Sequence, residues 1–273
     1  MCGRYVMARA TSDLVALGDA ETNEELVLRQ SWNVAPTAEV PILVAHADDV
    51  GAGVTRRIHV ARWGLVPPWA KELSVGSRAF NARSETVASK PTFRAAVRAR
   101  RCAVPVEGYY EWKAPEPGAK GPDGRAAKKQ PYYVHPAGAG DGEGPVIWFA
   151  GLYEWWQDPE AKAAGEDAWV LSTTILTMAA PDADDDDPVL AALGQLHDRL
   201  PVPMDAETMD RWLAPDTLGS AEEADALVGE VCAGAYDVAA GWSLRPVGSA
   251  VGNVRNNGPE LIQEMREQQG TLL

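Results

Sequence analysis

"VIWFAGLYEW" (146–155) and "AWVLSTTIL" (168–176) are the two stretches on which the fold turns. Both are rich in β-branched and aromatic residues, and both are bounded by turn formers, so they read as strands. Four shorter runs share this character: "PILVAH" (41–46), "RRIHVA" (56–61), "CAVPV" (102–106) and "PYYVH" (131–135). Helical pieces lie between and after them. "SAEEADALVGEVC" (220–232) opens on a capping box, Ser220 with Glu223, and places Cys232 on its apolar face. "MDAETMDRWLAP" (204–215) reads as a helix with Asp205 as its cap and Pro215 beyond its end, and "KPTFRAAVRARR" (90–101) as a third, basic on one side. Strands interleaved with unpaired helices predict the α+β class: a single domain over residues 1–273 around a curved, mostly antiparallel sheet. "APEPGAKGPDGRAAKK" (114–129) and "AGAGDGEG" (137–144) read as flexible loops between strands, because β signals resume after each, and residues 263–273 as a tail.

Composition narrows the class of protein. The chain has 273 residues, 46% hydrophobic and 23% charged, in the ordinary globular range. No apolar run is long enough to span a bilayer, and "MCGRYVMARATSD" lacks the basic-then-apolar layout of a secretory signal. The three cysteines, at 2, 102 and 232, form no C-x-x-C pair and no disulfide framework. A soluble, cytoplasmic protein with reduced thiols is the expectation. The net charge of −14 argues against general nucleic-acid affinity and leaves room for a local basic groove. "PDADDDDP" (181–188) reads as a solvated loop, since it lacks the spaced ligands and turn glycine of a calcium loop.

Several residues bear chemistry. Cys2 directly follows Met1. Methionine is normally removed before so small a residue, and the exposed cysteine then carries an α-amine and a thiol on adjacent carbons. Such a β-aminothiol condenses with an aldehyde through the amine, and the thiol closes the imine to a five-membered thiazolidine. Free groups of both kinds titrate near ~8 and ~8.5, so both are partly nucleophilic at neutral pH. Gly3 lets the backbone approach a substrate closely, and Arg4 offers an anion contact. In "GYYEW", Glu111 lies between Tyr110 and Trp112; the preceding strand and turn deliver it inward, where a desolvated carboxyl serves as general acid or base. In "FNARSET", Asn81 offers donor and acceptor together and Arg83 a fork for phosphate. His197 lies in a polar turn, "QLHDRLP", between an apolar stretch and Pro201. Trp69, after the rigid Pro67-Pro68 turn, suits stacking on unpaired bases, whereas Trp63 reads as core. His46, His59 and His135 lie in strand-like runs and receive no role. Local sequence leaves the plain alternatives open: a core cysteine, a surface histidine, an edge-strand glutamate.

In order along the chain, "MCGRY", "WNVAPT" (32–37), "WGLVPPWA" (63–70), "FNARSET" (80–86), "RRCAVPVEGYYEWK" (100–113), "LHDRLPVPM" (196–204) and "VGNVRNNGPELI" (251–262) resemble the SRAP family, the SOS-response-associated peptidase proteins. The resemblance implies a barrel-like α+β core and covalent capture of abasic sites in single-stranded DNA, with no cofactor and no metal. It implies Cys2 as nucleophile, Glu111 as proton shuttle, Asn81 as the group holding the amine or sugar, and His197 as the partner of the opened sugar oxygen. Arg4, Arg83 and Arg199 become phosphate contacts, Gly3 an access point and Trp69 a wedge or stacking residue, in a chain expected to act as a monomer. Leu200 stands where the family more often has methionine, and the acidic balance and the 114–129 loop depart from the pattern. Two other classes compete: a cysteine peptidase, in its narrow form one that removes its own Met1, and a non-enzymatic DNA-binding module.

Overall fold

The computed structural model describes residues 2–22, 26, 29–47, 53–121, 123–138 and 144–265. The strands are β1 (Tyr5–Met7), β2 (Ser31–Val34), β3 (Glu39–Ala47), β4 (Val54–Trp63), β5 (Asn81–Arg83), β6 (Arg101–Val106), β7 (Gly108–Lys113), β8 (Gln130–Pro136), β9 (Ile147–Gln157), β10 (Trp169–Ala179), β11 (Arg199–Pro201), β12 (Pro203–Met204) and β13 (Trp242–Pro246). All six strand runs read from the sequence are strands here. The shorter ones escaped because two to six residues give too little periodicity to read.

β10, β4, β3, β6 and β9 pair in that order, and β9 pairs back onto β10, so five strands close into a barrel. Closure leaves no free edge among them. Every pairing in the ring is antiparallel except β10 with β4, which is parallel and covers only Ser172 with Arg62 and Thr173 with Trp63. The hydroxyls of Ser172 and Thr173 tie β10 to its two sides at this seam. Ser172 Oγ accepts from Val66 N at 2.9 Å and donates to the Glu154 carbonyl at 3.2 Å, while Thr173 Oγ1 donates to the Leu152 carbonyl at 2.9 Å. Beyond the seam β10 continues and takes β5 as a parallel neighbour, then β11 as an antiparallel one. A second sheet, in the order β13-β8-β7-β1-β2, is antiparallel throughout. It joins the barrel through the tight β6–β7 connection, where Glu107 N donates to the Val6 carbonyl.

The helices pack outside. Ser220 and Asp205 cap the helices Ala221–Ala233 and Ala206–Leu213 by accepting from Glu223 N and Thr208 N. Trp212 is fully buried, and its indole N–H donates to the carbonyls of Cys102 and Gly151 at 3.0 and 3.2 Å. Cys232 is half-buried against the main apolar cluster. The basic helix is shorter than expected, covering only Arg94–Ala99. Arg101 leaves it for β6 and is buried, because its guanidinium donates to the carbonyls of Val97, Arg98, Trp212, Ala214 and Asp216. Within 114–129 the chain makes a small bridge between Lys120 and Ala126. The acidic run ends as a cap, Asp187 accepting from Val189 N and Leu190 N of the helix Pro188–Leu196. Residues 139–143 of the second loop and 266–273 of the tail lie outside the described residues.

One buried amide holds the second sheet to the C-terminal segment. Asn33 on β2 donates through Nδ2 to the carbonyls of Val251, Asn253 and Asn256 at 3.2, 3.1 and 2.9 Å, and its Oδ1 accepts from Arg4 Nη1 at 2.9 Å. Asn33→Ala strands these groups in a buried place, and urea unfolding should show a loss of about 2–4 kcal/mol. A loss under about 0.5 kcal/mol contradicts this role for Asn33.

Candidate active site

Three parts of the fold meet at Cys2. β1 carries the segment in from the chain start, and Cys2 is 1% exposed. β7, hydrogen-bonded beside β1 with Tyr5 opposite Tyr109, carries Glu111, which is 5% exposed. Glu111 thus lies on a strand of its own, and not just past a turn as the sequence had implied. β5, held by the overrun of β10, carries Asn81, whose Nδ2 donates to the Cys2 carbonyl at 2.8 Å. Asn81 Oδ1 is buried and accepts no hydrogen bond among the described residues.

His197 stands at a corner. The helix Pro188–Leu196 ends there, with His197 in extended backbone (φ −160°, ψ 153°), and β11 begins two residues later. Its Nε2 is 3.9 Å from Glu111 Oε1. Nδ1 accepts from Arg199 N at 3.0 Å and is 2.7 Å from Asp198 Oδ1. The first contact favours a lone pair on Nδ1 and the second a proton there, so they pull the tautomer in opposite directions. That suits a ring that hands protons on.

The surroundings set the state of the thiol. Burial is the larger influence and the Glu111 carboxylate the next; both raise the pKa of Cys2 well above the ordinary thiol range. The Arg4 backbone N–H, directed at the sulfur, opposes them more weakly. The phenols of Tyr5 and Tyr109 are likewise pushed up, first by burial and then by Cys2 beside them. Cys2 therefore rests as a neutral thiol.

The expected DNA contacts fall into two groups. Trp69 is 61% exposed and Arg83 is exposed, whereas Gly3 is half-buried. Arg4 and Arg199 are engaged within the protein. Arg4 Nη1 donates to Asn33 and to the Val251 carbonyl, both at 2.9 Å. Arg199 forms a bidentate pair with Glu85 at 2.5 and 2.9 Å and donates to the Thr177 carbonyl at 2.6 Å. Sequence reasoning passed over Arg78 and Lys90. With Ser74, Ser77 and Thr92 they line a cleft of about 450 Å³ that adjoins Asn81. Their only signal was nearness to the "FNARSET" stretch. Among the described residues no three or more His, Cys, Asp or Glu side chains gather as a metal cluster, and no helix is long and apolar enough to cross a membrane.

The chain is similar to known proteins in sequence and in fold. The chain is 30% identical over 264 residues to "Abasic site processing protein YoqW" of Bacillus subtilis (strain 168), covering 96% of this chain and 99% of that protein. It is 27% identical over 258 residues to "Abasic site processing protein HMCES" of Rattus norvegicus, covering 85% of this chain and 64% of that protein. The fold matches a crystal structure of a protein from Bacteroides thetaiotaomicron with a TM-score of 0.70 at 20% identity, over 97% of this chain and all of that one. Residues 1–254 match the family described as SOS response associated peptidase (SRAP), and the chain belongs to that family.

Proposed function

We propose that this protein captures abasic sites in single-stranded DNA covalently, through Cys2 once Met1 has been removed. The observation that carries the proposal is the convergence of Cys2, Asn81, Glu111 and His197 from four separate parts of the chain around one buried thiol. The names of the relatives, abasic site processing proteins, point to the same substrate.

An abasic site is a cyclic hemiacetal in equilibrium with an open aldehyde. His197 donates a proton to the ring oxygen as the sugar opens, and the anomeric hydroxyl gives up its proton in return, so that hemiacetal and open aldehyde differ by no net proton. The α-amine of Cys2 then attacks C1′, and loss of water gives the imine. The thiol adds to the imine carbon, its proton passing by way of Glu111 to the nitrogen. Amine, aldehyde and thiol become thiazolidine and one water, with no oxidant or cofactor consumed. In this order the amine acts first, and the sulfur is deprotonated only when the imine is in place. Asn81 fixes the Cys2 carbonyl with Nδ2 and keeps a buried, unpartnered Oδ1, to which an amine or sugar hydroxyl can donate. Trp69, Arg83, Arg78 and Lys90 form the surface for the flanking strand, base stacking on the indole and phosphates on the cations. For Arg199 to bind phosphate, the anion would have to displace Glu85, so its place is behind His197.

Mature protein mixed with single-stranded DNA carrying one abasic site should give a species that survives denaturing electrophoresis. Cys2→Ala and DNA with an intact base should give none, and Asn81→Ala should slow its formation about ten-fold or more. No such species with fully processed wild-type protein would overturn the proposal. The thiol offers a separate check. Because the Glu111 carboxylate opposes ionisation, Glu111→Gln removes a negative neighbour and should lower the thiol midpoint. Thiolate absorbance near 240 nm, taken as the difference from Cys2→Ser, reads it directly; an unmoved midpoint contradicts the assigned coupling.

A further inference from the structure

The β3–β4 hairpin carries a second group of chemistry-bearing side chains that shares no residue with the Cys2 site. His46, near the end of β3, and His59, on β4, turn their rings toward each other. Nε2 lies 3.2 Å from Nε2, with ring centroids 5.4 Å apart and planes at 64°. Both side chains are half-buried. They border a cavity of about 40 Å³ whose other walls are Val44, Tyr153, Trp155 and Leu171. That volume accepts an ion with roughly two waters, since one water needs about 10–15 Å³.

We propose that His46 and His59 form a binding site for a late first-row divalent metal ion of the kind imidazole prefers, Ni²⁺, Cu²⁺ or Zn²⁺. Two imidazoles on one ion, with bonds of about 2.0–2.1 Å at a tetrahedral angle, hold their donor atoms about 3.3–3.4 Å apart. The observed 3.2 Å is close to that span. In the hydrogen-bonded pair one Nε2–H donates to the other Nε2. On binding, that proton moves to Nδ1 of its own ring, and a swing of both half-exposed rings brings two lone pairs onto the ion. No net proton is released, and water completes the coordination shell. The Arg57 guanidinium near the pair is offset by Glu21, 3.7 Å away. Two protein donors leave open positions, unlike the closed four-ligand structural zinc site. The ion would clip β3 to β4 across the hairpin.

The test is titration of Ni²⁺ into the untagged full chain, read by calorimetry and by tryptophan fluorescence. One saturable site is expected, weakened about ten-fold or more in both His46→Gln and His59→Gln and unchanged in His197→Gln. Trp155→Phe should keep the affinity and lose part of the quenching, because Trp155 lines the cavity. Unchanged circular dichroism spectra of the two glutamine variants tie the loss to the ligands and not to unfolding. If His59→Gln binds Ni²⁺ as tightly as wild type, or no saturable binding appears, the site does not exist. Electron paramagnetic resonance of the Cu²⁺ form gives a second reading: two coordinated nitrogens support the pair, and one contradicts it.

Discussion

The parallel pairing of β10 with β4 is the constraint on which the rest depends. It spans two residue pairs, and it closes the barrel. Parallel pairing over so short a length is weak by itself; just past it, Gly64 N donates to the Thr173 carbonyl and Val66 N to Ser172 Oγ, while the hydroxyls of Ser172 and Thr173 also donate to carbonyls of β9. Because the seam is short, the far half of β10 is free to take other partners. It takes β5 on its way out and β11 at its end, and these bring Asn81 and His197 to the same side of the molecule. The site is thus a product of where the barrel stops.

The second sheet completes the arrangement from the other direction. β1 and β7 are neighbours, so the start of the chain and the Glu111 strand arrive side by side. A thiol at residue 2 would ordinarily lie in a frayed end. Here it is buried among Tyr5, Tyr109 and Glu111, and the same burial that holds it in place suppresses its ionisation.

Much of this was legible in the residues, for stated reasons. The apolar runs at 41–46, 56–61, 102–106, 131–135, 146–155 and 168–176 are all strands, 131–135 in the second sheet and the others in the barrel, because burial against a sheet requires that composition. Asp205 and Ser220 cap their helices because cap chemistry is local. What could not be read is set by distant contacts. Arg101 looked like the end of a basic helix and is a buried donor to carbonyls more than a hundred residues away. Glu85, part of a quoted stretch, gives no local sign that it occupies Arg199. The four central residues were singled out by type and by resemblance to a family; their convergence depends on pairings among β1, β5, β7 and β11 that strands of three to six residues do not announce.

Asn33 and Arg4 place a condition on the order of assembly. Their bonds reach Val251, Asn253 and Asn256, some 220 to 250 positions along the chain. Arg4 stands two positions from Cys2, so the strand that leads into the site is tied down by contacts of very long sequence span. Contacts of such long span are also slow to form. Long span and slow closure together put the fastening of the second sheet, and with it the framing of Cys2, late in folding.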